Sequence, residues 1–320
     1  MVAGQQLSGV ESKPPAKQTW PGMADNTGDL GLNAESLSQW YLSHGRDLPW
    51  RRTRDPWAVL VSEVMLQQTL VDRVIPRWQQ FLLRFPTAAA CAVAPLGDVL
   101  ALWVGLGYNR RALSLWRAAN MIAERHDGAF PRQLETLLAL PGVGPYTARA
   151  VLAFAFEAEG TGVLDTNVAR ILARRAGRPL GRAQAQRQAD EAVPQGQVWQ
   201  HNQALLDLGA TVCTARAPRC SHCPLSNDCA WYLRGNEEPD PAVGSAGVSG
   251  RQSRFVGSDR QGRGRLISAL VNAPVARTML AGVMGWSEDN ARAHQVLGGL
   301  VRDGLVVVDQ HGTARLPGQS

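Results

Sequence analysis

An all-α fold is predicted by the pattern of apolar residues along the chain. From Glu35 to about Leu233 these residues recur at helical spacing, short turns with Pro and Gly break the series, and almost no run alternates as in a strand. The chain has 320 residues, of which 45% are hydrophobic and 19% charged, so it can form a sizeable core in more than one domain. Residues 1–33 are rich in Gly, Ser, Gln and Pro without periodicity, and we expect a disordered tail there.

A second, smaller module is predicted after a linker. Residues 235–250 are poor in large apolar side chains and dense in Gly, Pro and Ser, and we place the linker at 235–258. Two helices and two short strands are predicted beyond it: Asp259–Asn272, Ser287–Asp303, Leu305–Asp309 and Thr313–Leu316. Helices followed by a small hairpin predict a winged-helix-like module over residues 259–320, although this fold alone does not distinguish DNA binding from protein contacts.

The charge of the chain favours a polyanionic partner. The formal net charge is +6 and the sequence pI is about 9.4. Lysine occurs only at Lys13 and Lys17, so the cationic side chains that follow are arginines and histidines; arginine suits phosphate, although a GC-rich genome would produce the same bias. The predicted folded part therefore has no lysine amine for Schiff-base chemistry. No apolar run is long enough to cross a bilayer and the start lacks a secretory signal, so we expect a cytoplasmic protein with no membrane partner.

Four of the five cysteines form a compact group that predicts a metal site. Six, two and five residues separate successive members of the set Cys213, Cys220, Cys223 and Cys229. Disulfides are the first alternative, and reducing compartments disfavour them. Zinc is the stronger alternative, but zinc sites usually pair two Cys-x-x-Cys units across a longer loop, and only one close pair occurs here. The spacing therefore favours an iron–sulfur cluster, and Cys91, among Ala and Val, is predicted to be a core thiol.

A glycine-containing turn predicts a phosphate-binding hairpin. The segment LPGVGPYTA, residues 140–148, lies between two predicted helices. Gly142 and Gly144 allow a tight turn, and Pro145 suits the first residue of the second helix. Backbone amides at such a helix start bind anions, so the turn can hold a DNA phosphate without reading a base. Gly-x-Gly turns are common, and an ordinary structural turn is the alternative.

Two acids are candidates for catalysis. Glu63 lies within the apolar helix WAVLVSEVMLQQTL, where poor solvation would raise its pKa and let it act as a general acid; a buried pair with an arginine is the alternative. Asp165 begins the segment DTNVAR before a helix, where a plain N-cap is the alternative. A fixed carboxylate at that place would stabilise the oxocarbenium-like sugar that forms when an N-glycosidic bond breaks.

Four motifs in order resemble the helix-hairpin-helix DNA glycosylases of the endonuclease III and MutY superfamily, and in particular the MutY-type adenine DNA glycosylases. They are SEVMLQQT, LPGVGPYTA, LDTNV and the C-x6-C-x2-C-x5-C cysteine spacing. The resemblance covers about residues 32–233. It implies a two-lobed helical fold with a barrel lobe at about 55–156, a cluster lobe from 34–54 and 157–234, and double-stranded DNA across the cleft between them. It also implies that the four cysteines hold a 4Fe-4S cluster.

The resemblance also implies roles for single residues. Glu63 corresponds to the acid that protonates the adenine ring, Asp165 to the catalytic aspartate, and Asn167 to its neighbour in the site. Tyr146 stands where bifunctional relatives carry a lysine, which is typical of monofunctional members. Gln68 and Tyr108 match the residues that fill the gap in the duplex, although Asn109 departs from the second aromatic that often follows. The hairpin residues expected to contact DNA are Gly142, Val143, Gly144 and Thr147.

The resulting hypothesis is a monofunctional adenine DNA glycosylase that excises adenine mispaired with guanine or 8-oxoguanine in base excision repair. We expect a monomer that is associated with the nucleoid. Its end differs from the Nudix-like domain of the best-known MutY proteins and is similar to that of actinobacterial members, which leaves the preference for 8-oxoguanine open. The alternatives are a thymine or uracil mismatch glycosylase on the same scaffold, and a non-catalytic iron–sulfur DNA-binding protein.

Overall fold

The predicted all-α fold is confirmed by a computed structural model, which describes residues 33–247 and 254–318. The predicted tail, residues 1–33, lies outside the described residues apart from Asn33. The α-helices of the described residues are α1 (Ala34–His44), α2 (Pro56–Leu66), α3 (Val71–Arg84), α4 (Ala88–Ala92), α5 (Leu96–Trp103), α6 (Arg110–Arg125), α7 (Leu134–Leu138), α8 (Pro145–Ala155), α9 (Thr166–Ala176), α10 (Arg182–Glu191), α11 (Val198–Thr211), α12 (Ala230–Leu233), α13 (Asp259–Asn272), α14 (Leu280–Met284) and α15 (Asn290–Arg302). None of the helices described is both long enough and apolar enough to span a membrane.

Helix α2 is the central helix of the first hydrophobic core. Its start is fixed by Asp55, whose side chain accepts hydrogen bonds from the amides of Trp57 and Ala58, and by Pro56 at the first helical position. Every residue from Trp57 to Met65 is buried, because α2 is covered by α3, α6 and α8. A polar side chain on this helix is therefore removed from water on almost every face, which decides the chemistry of Glu63.

A second hydrophobic core lies in the part of the chain that we predicted as the cluster lobe. It joins Leu37 of α1 to Ile171 of α9, Ala185 of α10 and Leu205 of α11. Helix α9 contacts α10, α11 and α12, so this lobe combines an early segment of the chain with a late one. The two cores meet the expectation of two lobes, while the domain boundaries themselves stay a prediction.

Residues 240–247 of the predicted linker lie against the second core. Asp240 accepts a hydrogen bond of 2.6 Å from Arg174 Nη2, and the amide of Ala246 donates to the carbonyl of Leu180 at 3.1 Å. At Gly247 an added Cβ would lie 2.8 Å from the backbone nitrogen of Arg170, so the chain passes very close to α9. Residues 240–247 are therefore held on the surface of α9, although their composition is that of a linker.

The C-terminal module has three helices and a small hairpin. Helix α13 matches the predicted Asp259–Asn272, while α15 is shorter than the predicted Ser287–Asp303. The strands are β1 (Val307–Val308) and β2 (Ala314–Arg315), antiparallel, with Val275 forming a further bridge to Ala314. Leu266, Leu300 and Leu316 of the module belong to the same hydrophobic core as α2. The module is therefore docked on the first core.

Candidate active site

Three of the four predicted catalytic residues line one cavity of about 630 Å³: Glu63, Tyr146 and Asp165. The fourth, Asn167, is not among the lining residues and instead contacts Asp165. Helices of the first core form one wall of this cavity, which includes Glu63 and Tyr146. The second core and the segment that follows it supply Asp165, Arg182 and Ala246. The cavity lies between the two lobes and is large enough for a nucleoside, which is where the resemblance placed the DNA cleft.

Glu63 is a buried acid with an unusual environment. Its residue is 5% exposed, and its Oε2 has no hydrogen-bond partner within the described residues. Burial raises the pKa of Glu63 to about 7; the negative charge of Asp165 raises it as well, whereas a hydrogen bond from Tyr146 and the charge of Arg51 lower it. Near neutral pH this carboxyl holds its proton in a large fraction of the molecules. That is the protonation state that a general acid requires.

Tyr146 connects the hairpin to the acid. It is the second residue of α8 and is half-buried, and its hydroxyl is hydrogen-bonded to Glu63. Burial, together with the charges of Glu63 and Asp165, raises the pKa of Tyr146 well above its ordinary value. The hydroxyl therefore stays protonated and orients the carboxyl without competing for its proton.

Asp165 is the N-cap of α9. Its Oδ1 accepts a 2.7 Å hydrogen bond from the amide of Val168, and its Oδ2 accepts one of 2.7 Å from Nδ2 of Asn167. Burial raises the pKa of Asp165, and these hydrogen bonds counter that effect. The predicted N-cap and the predicted catalytic site thus describe the same side chain, because the cap holds the carboxylate at the wall of the cavity.

Asn167 is itself held in place from two sides. Its Oδ1 accepts a 2.8 Å hydrogen bond from Nη2 of Arg170, whose Nε donates to the carbonyl of Cys213 at 2.8 Å. On its other side lies Gly209, where an added Cβ would be 2.5 Å from the Cβ of Asn167. The side chain that orients Asp165 is therefore tightly packed and is connected to the cysteine loop through Arg170.

A buried ion pair beside Glu63 was missed by the sequence analysis. Arg51 donates from Nη1 and Nη2 to the two carboxylate oxygens of Asp207, at 2.7 Å each, and Arg46 donates to the same carboxylate. Burial alone would raise the pKa of Asp207, but the hydrogen bonds and charges of the two arginines lower it. The charge of Arg51 opposes the rise in the pKa of Glu63. Arg51 and Asp207 are 156 positions apart, so no local pattern could have paired them.

Gln68 and Tyr108 lie in two neighbouring turns with unusual backbone conformations. Their φ angles are +57° and +48°, in the left-handed region that non-glycine residues rarely adopt. Arg111 fixes both turns: it donates to the carbonyl of Gln67 at 2.6 Å and to that of Gly107 at 3.0 Å, and it also binds the last carbonyls of α2. This role of Arg111 could not be predicted from its sequence neighbours, because the carbonyls that it binds at the end of α2 lie 46 and 47 positions away in the chain.

The predicted hairpin forms the turn before α8. Gly142 has a φ of +79°, and an added Cβ there would lie 2.5 Å from the Cβ of Ser114, so only glycine fits. Gly144 is the N-cap of α8. Val143 and Thr147 are 7% and 2% exposed, so their side chains are turned inward. Contacts of this turn with DNA would use backbone amides, and they stay a prediction.

The four predicted cysteine ligands line a common small cavity next to α9 and α12. Arg174 lies beside it, with Nη1 3.3 Å from Sγ of Cys213 and with its guanidinium 4.6 Å from the ring centre of Trp231. Four soft thiol ligands around one space, with a guanidinium to balance thiolate charge, fit an iron–sulfur cluster. Cys91 is fully buried in the first core, as predicted.

Comparisons with known proteins identify the class to which this chain belongs. Residues 61–195 match the HhH-GPD superfamily of base excision DNA repair proteins, and residues 213–229 match the iron–sulfur binding domain of endonuclease III. The chain is thus a base excision DNA repair protein with an iron–sulfur domain, which confirms the cofactor prediction.

Relatives narrow this class to one family. The chain is 41% identical over 297 residues to the adenine DNA glycosylase of Mycolicibacterium smegmatis, covering 91% of this chain and 98% of the relative. It is 42% identical over 310 residues to that of Mycobacterium tuberculosis, covering 92% and 96%. The match to the human adenine DNA glycosylase is 43% over 225 residues, which is 66% of this chain and 41% of the human protein. The chain belongs to the adenine DNA glycosylase family.

Solved structures support the helix-hairpin-helix fold. A thermostable thymine-DNA glycosylase superposes with a TM-score of 0.59 and 28% identity, covering 63% of this chain and 95% of that chain. Endonuclease III trapped in a covalent DNA intermediate superposes with a TM-score of 0.56 and 21% identity, covering 64% and 95%, a likeness that concerns the fold alone.

Proposed function

We propose that this protein is a monofunctional adenine DNA glycosylase that excises adenine mispaired with guanine or 8-oxoguanine. The observation that carries the proposal is the pair of carboxyl groups in one cavity between the lobes: Glu63, with a pKa of about 7, and Asp165, fixed at the start of α9. The names of its relatives, which match almost the whole chain, support the choice of adenine.

In the proposed reaction the extruded deoxyadenosine enters the cavity, and Glu63 donates its proton to a ring nitrogen of the base. Protonation makes adenine a better leaving group, so the bond between C1′ and the base nitrogen breaks and its electron pair stays with the base. The carboxylate of Asp165 stabilises the positive charge that develops on the sugar. A water molecule then bonds to C1′ and gives up a proton to the carboxylate left on Glu63, so the acid is restored and an abasic site remains.

The absence of lysine after Lys17 in the sequence supports the monofunctional assignment. Lyase activity of this kind begins when an amine attacks C1′. Tyr146, whose pKa is raised well above its ordinary value, is a poor nucleophile near neutral pH. The four cysteines would hold the 4Fe-4S cluster, which would stabilise the loop of residues 213–229. They line a different cavity from the catalytic one, so the cluster has no part in base release.

The test is base release from a panel of duplexes that present every mispair and 8-oxoguanine. We expect adenine release opposite guanine or 8-oxoguanine, and a loss of at least roughly 100-fold in Glu63→Gln, since general acids contribute rate factors of this size or more. Glu124→Gln removes a carboxylate from the exposed surface of α6 and is the matched control. Borohydride should not trap the protein on DNA.

Three outcomes would contradict the proposal. Release of thymine or uracil in place of adenine would favour the mismatch glycosylase. No release of any base, with DNA binding retained, would favour a non-catalytic iron–sulfur DNA-binding protein. Adenine release that persists in Glu63→Gln would show that Glu63 is not the general acid.

We also expect a monomer that binds double-stranded DNA, which sedimentation of the protein with and without a duplex would establish.

A further inference from the structure

One cationic side chain, that of Arg182, lines the catalytic cavity within the described residues. Arg182 is the first residue of α10 and is exposed. It lies on the wall that also carries Asp165, and not on the wall of Glu63 and Tyr146. Arg182 was assigned no role from the sequence, and the reaction proposed above does not use it.

The guanidinium of Arg182 has no partner in the part of the chain that the structure describes, where it makes no hydrogen bond, ion pair or ring contact. Asp165 does not use this charge, although both residues line the same wall. The groups that lower the pKa of Asp165 are Val168, Asn167 and Arg170. The N–H donors of Arg182 are therefore available to a ligand in the cavity.

The loop before Arg182 is held in place by residues 240–247. The amide of Ala246 donates a 3.1 Å hydrogen bond to the carbonyl of Leu180, which is fully buried in the second core. Ala246 lines the catalytic cavity as well. Because residues 240–247 also lie against α9, they fix the start of α10 relative to the start of α9. The two helices thus present Arg182 and Asp165 from one wall.

The charge of Arg182 would oppose the proposed reaction unless an anion neutralised it. Positive charge develops on the sugar when the bond to the base breaks, and Asp165 stabilises that charge. A cation on the same wall raises the energy of this state, since like charges repel. The phosphate groups that flank the extruded nucleotide are bonded to the same sugar, so they reach the cavity together with it. Arginine can hold a phosphate with two parallel N–H donors.

We propose that Arg182 binds one of the two phosphate groups that flank the extruded nucleotide and so fixes the sugar against Asp165. The proposal rests on the proposed function, which places a nucleotide in this cavity. The contact is separate from that expected of the hairpin, which would hold a phosphate through backbone amides of the first lobe. Arg182 is then a substrate-binding residue of the second lobe.

Uncharged phosphate analogues provide the direct test. In a methylphosphonate a methyl group replaces one phosphate oxygen and removes the negative charge, so an arginine bound there loses its ionic partner. The duplexes contain a tetrahydrofuran abasic analogue opposite guanine, with one methylphosphonate immediately 5′ of the analogue, immediately 3′ of it, or near the end of the duplex. The analogue carries no base, so binding reports on the phosphate contact whichever base the enzyme releases. Fluorescence anisotropy measures the affinity.

We expect one of the two flanking methylphosphonates to weaken binding of the wild-type protein about tenfold, as the loss of a charged hydrogen bond can. Arg182→Gln should bind the unmodified duplex about tenfold more weakly and should lose no more on that methylphosphonate, because the contact is already absent. The slope of log K against log salt should become shallower by about one unit in Arg182→Gln and should be retained in Arg182→Lys.

Arg187→Gln is the matched control, because Arg187 is an exposed arginine of the same helix and is not among the residues that line the cavity. It should lose affinity on the same methylphosphonate as the wild-type protein does. Since Arg182 is exposed and has no partner within the described residues, Arg182→Gln should also unfold at the wild-type temperature.

Three results would overturn the contact. They are a wild-type protein that neither flanking methylphosphonate weakens, an Arg182→Gln protein that binds as tightly as the wild type, and losses that simply add for Arg182→Gln and both flanking methylphosphonates. The last result would mean that Arg182 contacts a different part of the DNA. Adenine release by the same wild-type preparation reports separately on the proposed function. Release without the expected coupling contradicts the contact alone, whereas coupling without release contradicts the function and retains the contact.

Discussion

Glu63 and Asp165 line the same cavity but have opposite surroundings. Glu63 lies in the middle of a helix that is buried on almost every face, and its Oε2 has no hydrogen-bond partner within the described residues. Asp165 lies at the start of a helix, and both of its oxygens accept hydrogen bonds. Burial raises the pKa of both carboxyls, but at Asp165 these hydrogen bonds counter the rise, so the charged form of Asp165 is the better supported of the two. In the proposed reaction, these two groups of the same chemistry therefore take different roles, acid and electrostatic stabiliser.

The largest effect is expected when each carboxyl is replaced by its amide and the rate is followed against pH. Asp165→Asn should lower adenine release at every pH, by roughly 1000-fold or more, because no other carboxylate can replace its charge beside the sugar. In the wild-type protein the rate should fall as pH rises through about 7, where Glu63 loses its proton. The residual rate of Glu63→Gln should lack this fall. Single-turnover rates between pH 5 and 9 measure both effects, and an unchanged fall in Glu63→Gln would assign the acid to another group.

A second effect concerns stability. Because burial raises the pKa of Glu63 from 4.5 to about 7, the folded protein binds this proton more tightly than the unfolded chain does. The contribution to the free energy of unfolding is fully present below pH 4.5 and is lost as pH rises through about 7. At about 1.4 kcal/mol per pKa unit, the loss amounts to roughly 3 kcal/mol.

Urea unfolding of the wild-type protein and of Glu63→Gln, at pH 5 and pH 8, would measure this contribution. The difference in unfolding free energy between the two proteins should shift in favour of Glu63→Gln by about three quarters of that amount on going from pH 5 to pH 8, because at pH 5 part of the contribution is already lost. A difference that does not change with pH would show that Glu63 is not buried in this way.

A smaller effect is expected from Arg170, which acts on Asp165 through Asn167. Arg170→Met removes the hydrogen bond to Asn167 Oδ1 and frees the amide that binds Asp165, so we expect a loss of about tenfold in kcat, the equivalent of one charged hydrogen bond. Loss of that amide hydrogen bond should raise the pKa of Asp165. As pH is lowered, Asp165 should therefore gain its proton earlier, and the acid limb of the rate profile should move to higher pH. Arg187→Met, an exposed arginine of α10, is the control.

The structural role of Arg170 needs its own readout, since Nε also binds the carbonyl of Cys213. The iron content and visible absorption of the protein show whether the cluster is retained. If Arg170→Met retains the cluster and its pH profile is that of the wild-type protein, Arg170 does not position Asp165.

Local patterns predicted most of the fold, because they depend on neighbouring residues. The helical spacing gave α13 with its observed bounds, and the cysteine spacing gave the iron–sulfur loop. Helix α14 was missed because its five residues, LAGVM, are too few to show a period. The docking of the C-terminal module was missed as well, because the contacts that hold it, such as Asp303 with Arg110, join positions 193 apart.

The individual residues of the site were predicted from the sequence, whereas the long-range contacts that surround them were not. Glu63, Tyr146 and Asp165 could be located by their motifs, and the structure brings all three to one cavity. Arg51 and Arg111 could not be located, because their partners are a distant carboxylate and a set of backbone carbonyls. The pKa of a buried acid depends on such partners, so its value could not be obtained from sequence.

The smallest effect is expected in the stability of Asp165 variants. Asparagine is as good an N-cap as aspartate, so Asp165→Asn keeps the hydrogen bond from Val168. It loses the one from Asn167, but it also removes a charge that burial disfavours. We therefore expect its free energy of unfolding at pH 7 to lie within about 1 kcal/mol of the wild-type value, and that of Asp165→Ala to be lower by about a further 1 kcal/mol. Chemical unfolding at pH 7 would measure both. If Asp165→Asn were as unstable as Asp165→Ala, the cap would depend on the charge, and the activity lost in Asp165→Asn could not be separated from a loss of fold.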